Sequence, residues 1–337
     1  TRRLEIFIMY TIVMDCMGSD KGPSVLSEGI LRFVKEYQDV KIVAVGRKED
    51  LKTLEGNERI EIVHADDVVP MTAGPLEVMR AKNSSMYKAI TLCKENNYDA
   101  VCSCGSTGGF LSCATLKLKT IEGIERACLM TQLPTKIPGK TVTTLDVGAN
   151  NETTPEQLVQ FAMMGKIYTQ KVKGVENPKV YLLSNGTEDE KGSPEIKEAN
   201  KLLRESAFEG FEGNVEAREA LNGQVDVIVT GGFTGNIFLK TVEGVGKLFS
   251  NMIKEAFYLN WHSKLGYLLS KKGFDDIKKT MDYKETGGAM MLGLNGIVVK
   301  GHGSSDAKAT FSTLRVAYNM AKVNVVELMK EGVKGVN

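Results

Sequence analysis

Short runs of β-branched residues, separated by longer stretches of helical periodicity, constrain this chain more than any other feature. The runs fall at residues 6–14, 40–45, 59–63, 100–102, 142–147, 180–183, 225–229 and 297–300, with a first helix expected over residues 24–37. Strands alternating with helices predict an α/β fold, because parallel strands need a crossover, usually helical, to return the chain to the sheet. The expected architecture is a Rossmann-like three-layer α/β/α arrangement around a mostly parallel sheet. With 337 residues and 42% hydrophobic content, the chain can bury a substantial core. No Pro/Ser-rich linker divides it and no internal repeat is visible, so residues 9–330 are expected to form a single domain, followed by a tail over 331–337.

Parallel sheets hold ligands at the carboxyl ends of their strands. Five loops in such positions share a composition: Cys104-Gly105-Ser106-Thr107-Gly108-Gly109, Asp146-Val147-Gly148-Ala149-Asn150, Ser184-Asn185-Gly186-Thr187, Thr230-Gly231-Gly232-Phe233-Thr234-Gly235-Asn236 and Gly301-His302-Gly303-Ser304-Ser305-Asp306. Glycine lets backbone approach a ligand, and a helix N-terminus offers unpaired N–H groups with a partial positive charge. Ser, Thr and Asn add neutral donors, and Lys136, Lys191, Lys240 and Lys300 lie in or near such loops. Each loop alone reads more simply as helix capping. Five of them, expected at one edge of the sheet, favour a shared anion site.

Several familiar chemistries are excluded. Gly139-Lys140-Thr141 resembles the end of a P-loop, but Pro134 stands where the required glycine belongs. No GxGxxG follows the first strand, no GxSxG elbow occurs, and no CxxC pair suggests zinc. The six cysteines, all within the first 130 residues, read as small hydrophobes in a reducing, cytoplasmic protein. Cys104 has no histidine close in sequence, which leaves covalent catalysis a minor option. Of the three histidines, only His302 sits in a Gly/Ser loop, where it either donates to a phosphoryl or carbonyl oxygen or simply holds the turn. Lys plus Arg is 43 and Asp plus Glu is 42, so no global field favours nucleic acid.

Residues 1–8 imitate the start of a secretory signal, but the apolar run leads directly into a turn without a small-residue cleavage site. Residues 6–14 therefore read as a first strand, with Met9 a candidate start and 1–8 an upstream extension. Residues 244–283 break the strand–helix rhythm. They carry seven lysines against four acids, and Phe257, Tyr258, Leu259, Trp261, Leu265, Tyr267, Leu268 and Leu269 in their middle. A protruding helical hairpin is expected there. No run reaches the roughly 18 apolar residues of a membrane span.

The loops, taken in order, resemble a known family. Asp15-Cys16-Met17-Gly18-Ser19-Asp20-Lys21-Gly22-Pro23, Asp146-Val147-Gly148-Ala149-Asn150, Glu188 to Gly192, Gly232-Phe233-Thr234-Gly235-Asn236 with Leu239-Lys240-Thr241, and His302-Gly303-Ser304-Ser305 closely resemble the PlsX family of acyl-acyl-carrier-protein:phosphate acyltransferases, from about Met9 to Lys330. The resemblance implies that inorganic phosphate attacks an acyl thioester on acyl carrier protein, giving acyl phosphate for phospholipid synthesis, with no cofactor or metal. It implies Lys191, Asn236 and His302 as catalytic candidates. Asp15, Gly18, Asp20, Lys21, Gly105, Ser106, Thr107, Gly108, Asp146, Gly148, Asn150, Gly186, Glu188, Gly232, Thr234, Gly235, Lys240, Gly303, Ser304 and Ser305 become candidate substrate or phosphate contacts. It further implies a cytoplasmic homodimer lying peripherally on the inner face of the membrane, near a membrane acyltransferase that consumes acyl phosphate. The hairpin either enters lipid, forms the dimer, or does both. Ser106 and Gly231 depart from the family pattern, where an amide and an acid are usual. Competing readings are a short-chain phosphotransacylase using coenzyme A and a non-catalytic membrane scaffold.

Overall fold

The structure, a computed structural model, describes residues 8–280 and 287–334. Most of the expected 1–8 extension, residues 281–283 of the expected hairpin and the end of the expected tail lie outside the described residues. The elements in order are β1 (Tyr10–Asp15), α1 (Pro23–Glu36), β2 (Val40–Gly46), β3 (Ile60–His64), α2 (Pro75–Arg80), α3 (Ser85–Glu95), β4 (Ala100–Ser103), α4 (Thr107–Leu118), β5 (Cys128–Pro134), β6 (Thr141–Leu145), α5 (Pro155–Lys171), β7 (Val180–Ser184), α6 (Pro194–Glu205), β8 (Phe211–Glu216), β9 (Val227–Val229), α7 (Gly232–Tyr258), α8 (Trp261–Thr280), β10 (Ala289–Leu292), β11 (Ile297–Lys300), α9 (Ala307–Lys322) and α10 (Val325–Lys334). The last helix runs through Lys334, into the stretch expected as a tail.

Helix starts follow from capping chemistry. Thr154 and Gln157 form a reciprocal capping box with Pro155 in the first turn of α5, and Ser193 caps α6 ahead of Pro194. Such a cap is worth about 1 kcal/mol. Along β1 the side chains alternate between faces: Ile12 and Met14 join the core under α1, α5 and α9, whereas Val13 joins the one under α3 and α4. Helices thus cover both faces of the sheet, as the α/β reading requires. All six cysteines are free and buried within these layers, and burial pushes their thiols up, Cys113 to about 11 and Cys93 to about 12.

Among the described residues, eleven strands form one sheet in the order β3-β2-β1-β4-β11-β10-β5-β6-β9-β7-β8. Most neighbours are parallel, but β10 runs antiparallel to both β11 and β5, and β5 antiparallel to β6. Three reversals flip the polarity of the second half. The carboxyl ends of β6, β7 and β9 therefore lie at the edge opposite those of β1, β4 and β11. This corrects the expectation that all five loops share one edge. The cause is a pair of hairpins, β5–β6 and β10–β11, whose first strands are built largely from Met, Leu and Cys rather than β-branched residues.

The expected hairpin is present as α7 and α8. No helix among the described residues is long and apolar enough to cross a membrane. Tyr258, Leu259, Trp261, Leu265, Leu268 and Leu269 are exposed near the turn. Phe257 is not on that outer surface: its ring packs 5.3 Å from Tyr267 and 4.7 Å from Phe274, inside the hairpin seam.

Candidate active site

One set of loops gathers at the ends of β1, β4 and β11. Asp15 closes β1 with a buried carboxylate that accepts from Ser103 Oγ at 2.7 Å and from the Met17 N–H at 3.2 Å. The Gly105 N–H in turn donates to Ser103 Oγ at 3.0 Å. Burial raises the Asp15 pKa against these donors. Gly18 has no room for a side chain, since a Cβ there would lie 2.7 Å from the Gly105 Cα. The Asp20 N–H donates to the Gly303 carbonyl at 2.9 Å, so the first and last glycine-rich loops are stitched together.

Lys300, only 5% exposed, ends β11 beneath this set and donates to the Gly301 carbonyl. Burial lowers its pKa, while Cys104, Asp15 and Asp20 oppose the shift. The Ser304 N–H donates to His302 Nδ1 at 3.3 Å, which places the proton of a neutral ring on Nε2. Burial, and then the Lys300 charge, lowers the His302 pKa, keeping it neutral near pH 7. Ser106 is buried at the start of α4. Its hydroxyl caps α4 by accepting from the Gly109 N–H at 3.2 Å and donates to the Ala73 carbonyl at 2.8 Å. Thr107 and Gly108 are exposed beside it.

The second set lies at the ends of β6 and β9. The Asp146 carboxylate accepts from the backbone N–H groups of Leu129, Gly148, Ala149 and Asn150 and from Asn150 Nδ2, all within 2.8–3.1 Å. It is fully buried and organises its loop. Gly235 likewise serves the fold. A Cβ there would fall 1.8 Å from the Asp146 carbonyl oxygen, so the first turn of α7 presses backbone to backbone on the loop. Asn236, on the next residue of that turn, is exposed and sets its amide over Gly148.

Lys191 belongs to a third loop, between β7 and α6. Its N–H donates to the Glu188 carbonyl at 3.0 Å, and Asn214 Nδ2 of β8 donates to the same carbonyl at 2.7 Å. Gly186 is needed here, since a Cβ would meet Lys191 Cγ at 2.7 Å. Between this loop and α7 opens a cleft of about 1440 Å³, whose lining includes Asn185, Gly192, Thr230, Thr234 and Ile237. Neighbours of Lys191 and of Asn236 line this opening, while the Asn236 amide itself packs over Gly148. His302 stands in the other set, and α7 links the two: Lys240 and Glu243, paired at 2.8 Å, both act on the ionisation of His302.

Sequence reasoning gave no site role to Ser103 or Asn214, two polar residues inside strands that no loop signature marks. Lys300 was legible only as a nearby charge, although a lysine closing an apolar strand directly before Gly301-His302-Gly303 is itself a signal. Cys104 offers no nucleophile, because burial raises its thiol pKa. Among the described residues no group of His, Cys, Asp and Glu is arranged to hold a metal.

The fatty acid synthesis protein family model matches residues 10–328. A phosphate acyltransferase from Geobacillus sp. (strain WCH70) is 42% identical over 325 residues, covering 96% of this chain and 98% of that protein. One from Staphylococcus haemolyticus (strain JCSC1435) is 39% identical over 328 residues, covering 97% and 99%. Among solved structures, a phosphotransacetylase from Streptococcus pyogenes superposes with a TM-score of 0.63 at 16% identity, covering 94% of this chain and 96% of that one. The EutD phosphotransacetylase from Staphylococcus aureus gives 0.59 at 17%, covering 93% and 94%. These two share the fold. With a family model spanning nearly the whole described chain and relatives near 40% identity over their full length, the chain belongs to the fatty acid synthesis protein family, together with the phosphate acyltransferases it matches.

Proposed function

We propose that the chain is a phosphate acyltransferase that moves a fatty acyl group from acyl carrier protein to inorganic phosphate. The observation that carries this reading is the 42% identity, over 96% of the chain, to the Geobacillus phosphate acyltransferase. A phosphate oxygen attacks the thioester carbonyl carbon, and the carbonyl electrons move to oxygen. Collapse of that oxyanion breaks the C–S bond, and the carrier thiolate leaves and takes up a proton. Phosphate is already nucleophilic near neutral pH, so the protein's work is positioning and charge stabilisation.

In this reading Lys191 balances the charge of phosphate and oxyanion, and the Asn236 amide donates to the oxyanion. The assignment is supported by their chain neighbours, Gly192 beside Lys191 and Thr234 and Ile237 beside Asn236, which line one cleft. The N–H groups of Gly232 and Thr234 open α7, whose N-cap Gly231 supplies no side-chain cap, and are available to phosphate. His302, neutral with Nε2 protonated, stands in the other loop set and couples to this site through Lys240 and Glu243 of α7. A homodimer resting on the inner face of the membrane, its hairpin apolar surface against lipid or partner, delivers acyl phosphate to a membrane acyltransferase.

Incubation with palmitoyl-acyl carrier protein and phosphate, followed by hydroxylamine trapping, tests the reading. Palmitoyl hydroxamate that depends on enzyme and phosphate is expected. Product from acetyl-coenzyme A alone would favour the short-chain alternative, and no product at all the scaffold.

A further inference from the structure

One wall of the cleft is apolar without being covered. Phe233 is 65% exposed and Ile237 53% exposed, although both line a concave surface together with Leu158, Leu183 and Phe238. Large apolar side chains left open inside a cleft indicate a ligand that covers them. Phe233 and Ile237 are four residues apart, so they share one face of α7, and Thr241, a further turn along, continues the lining. From Phe233 to Thr241 the wall extends about 12 Å along the helix axis. Asn236 lies within one turn of both apolar residues. A volume of about 1440 Å³ exceeds the range of roughly 300–1,000 Å³ that accommodates drug-sized ligands, and far exceeds what an acetyl group needs.

We propose that this wall is the acyl-chain subsite, and that Phe233 and Ile237 determine which chain lengths the protein accepts. The inference rests on the acyl-transfer reading above and deepens it, since Phe233 and Ile237 lie on α7 within one turn of Asn236 and line the cleft beside it. The same lining carries polar groups, among them Asn185, Ser193 and Thr234, which matches a ligand that is apolar at one end and anionic at the other.

Two measurements on the full chain test it. Equilibrium binding of dodecyl phosphate and butyl phosphate, analogues that cannot transfer an acyl group, reads the subsite without turnover. Dodecyl phosphate should bind at least tenfold more tightly, and Ile237→Trp, which fills the wall, should remove most of that difference. Equal binding of the two phosphates overturns the inference whatever the enzyme does, so its failure is distinct from absent turnover. The second measurement is kcat/KM for butyryl-, octanoyl- and palmitoyl-acyl carrier protein. Ile237→Trp should lower the palmitoyl value about tenfold and the butyryl value less than twofold, and Phe233→Ala should weaken the preference for long chains. A uniform change across chain lengths, or a changed oligomeric state with chain-length preference intact, would assign the wall to a second copy and reject the subsite.

Discussion

Gly148 and Asn236 are fitted to each other: a Cβ built on Gly148 would lie 2.9 Å from Asn236 Nδ2, and the backbone of Gly148 is at φ 129°. Gly148→Ala should therefore both strain the loop and push the amide out of line. We expect kcat to fall by about 10²-fold, the size seen when one oxyanion donor is lost. The unfolding free energy should drop by about 1–2 kcal/mol. Unchanged kcat would separate the Asn236 amide from the reaction.

Lys191→Ala tests the cation. Its side chain is exposed, so the urea midpoint should stay within error while acyl-phosphate formation falls about 10²-fold. Lys191→Arg, retaining charge but not point geometry, should recover part of the rate. Near-normal turnover in Lys191→Ala would remove the lysine from the mechanism.

Asp146→Asn replaces a carboxylate that receives five hydrogen bonds with a group carrying donors of its own. At least one N–H is left facing an amide N–H in a dry site. A loss of about 2–4 kcal/mol in equilibrium urea unfolding is expected. A loss below 0.5 kcal/mol would mean that the loop is held by other contacts.

Lys173 gives a pH signature. Its ammonium donates to Gln132 Oε1 at 2.9 Å and to the Thr141 carbonyl at 2.7 Å, and burial pulls its pKa down to about 8. An unfolded lysine keeps its proton to about 10.4. Between these values the unfolded chain binds more protons, so this group's contribution to stability rises as pH rises from about 8 to 10.4 and is lost as pH falls through 8. Urea midpoints of the native protein minus those of Lys173→Met should increase from pH 8 to pH 10. A flat or falling difference contradicts the assignment.

Exposed hairpin residues predict a surface effect. Trp261→Glu combined with Leu268→Glu should abolish flotation with vesicles containing anionic phosphatidylglycerol, while acyl transfer to phosphate in solution persists. If flotation survives and the sedimentation behaviour changes instead, the apolar tip belongs to the dimer alone.

The fold class is legible in the sequence because the Val/Ile runs of β1, β2 and β11 announce buried parallel strands. β5, Cys-Leu-Met-Thr-Gln-Leu-Pro, and β10, Ala-Met-Met-Leu, carry no such signal, since Met and Leu suit helices as well as strands. Those two strands set the polarity, so the loops are legible individually but their grouping is not. For the candidate site, loop chemistry marks the segments holding Gly186, Lys191 and Asn236, and the family resemblance supplies the roles of Lys191 and Asn236. The hydrogen bonds of Ser106 to Ala73 and of Asp146 to Leu129 are not legible in the sequence, because these partners are far along the chain. The open faces of Phe233 and Ile237 are invisible in one dimension, because exposure depends on what the fold packs against α7.

The placement of the six thiols makes the chain its own unfolding probe. Cys16, Cys93, Cys102, Cys104, Cys113 and Cys128 are at most 2% exposed and none follows residue 128, so iodoacetamide should find none of them until a local opening admits it. Labelling then reports on the half of the sheet built on β1, β4 and β5 while staying blind to β7, β8 and β9. Paired with a backbone-exchange measurement over the second half, it would tell whether the two oppositely directed halves open together or one at a time.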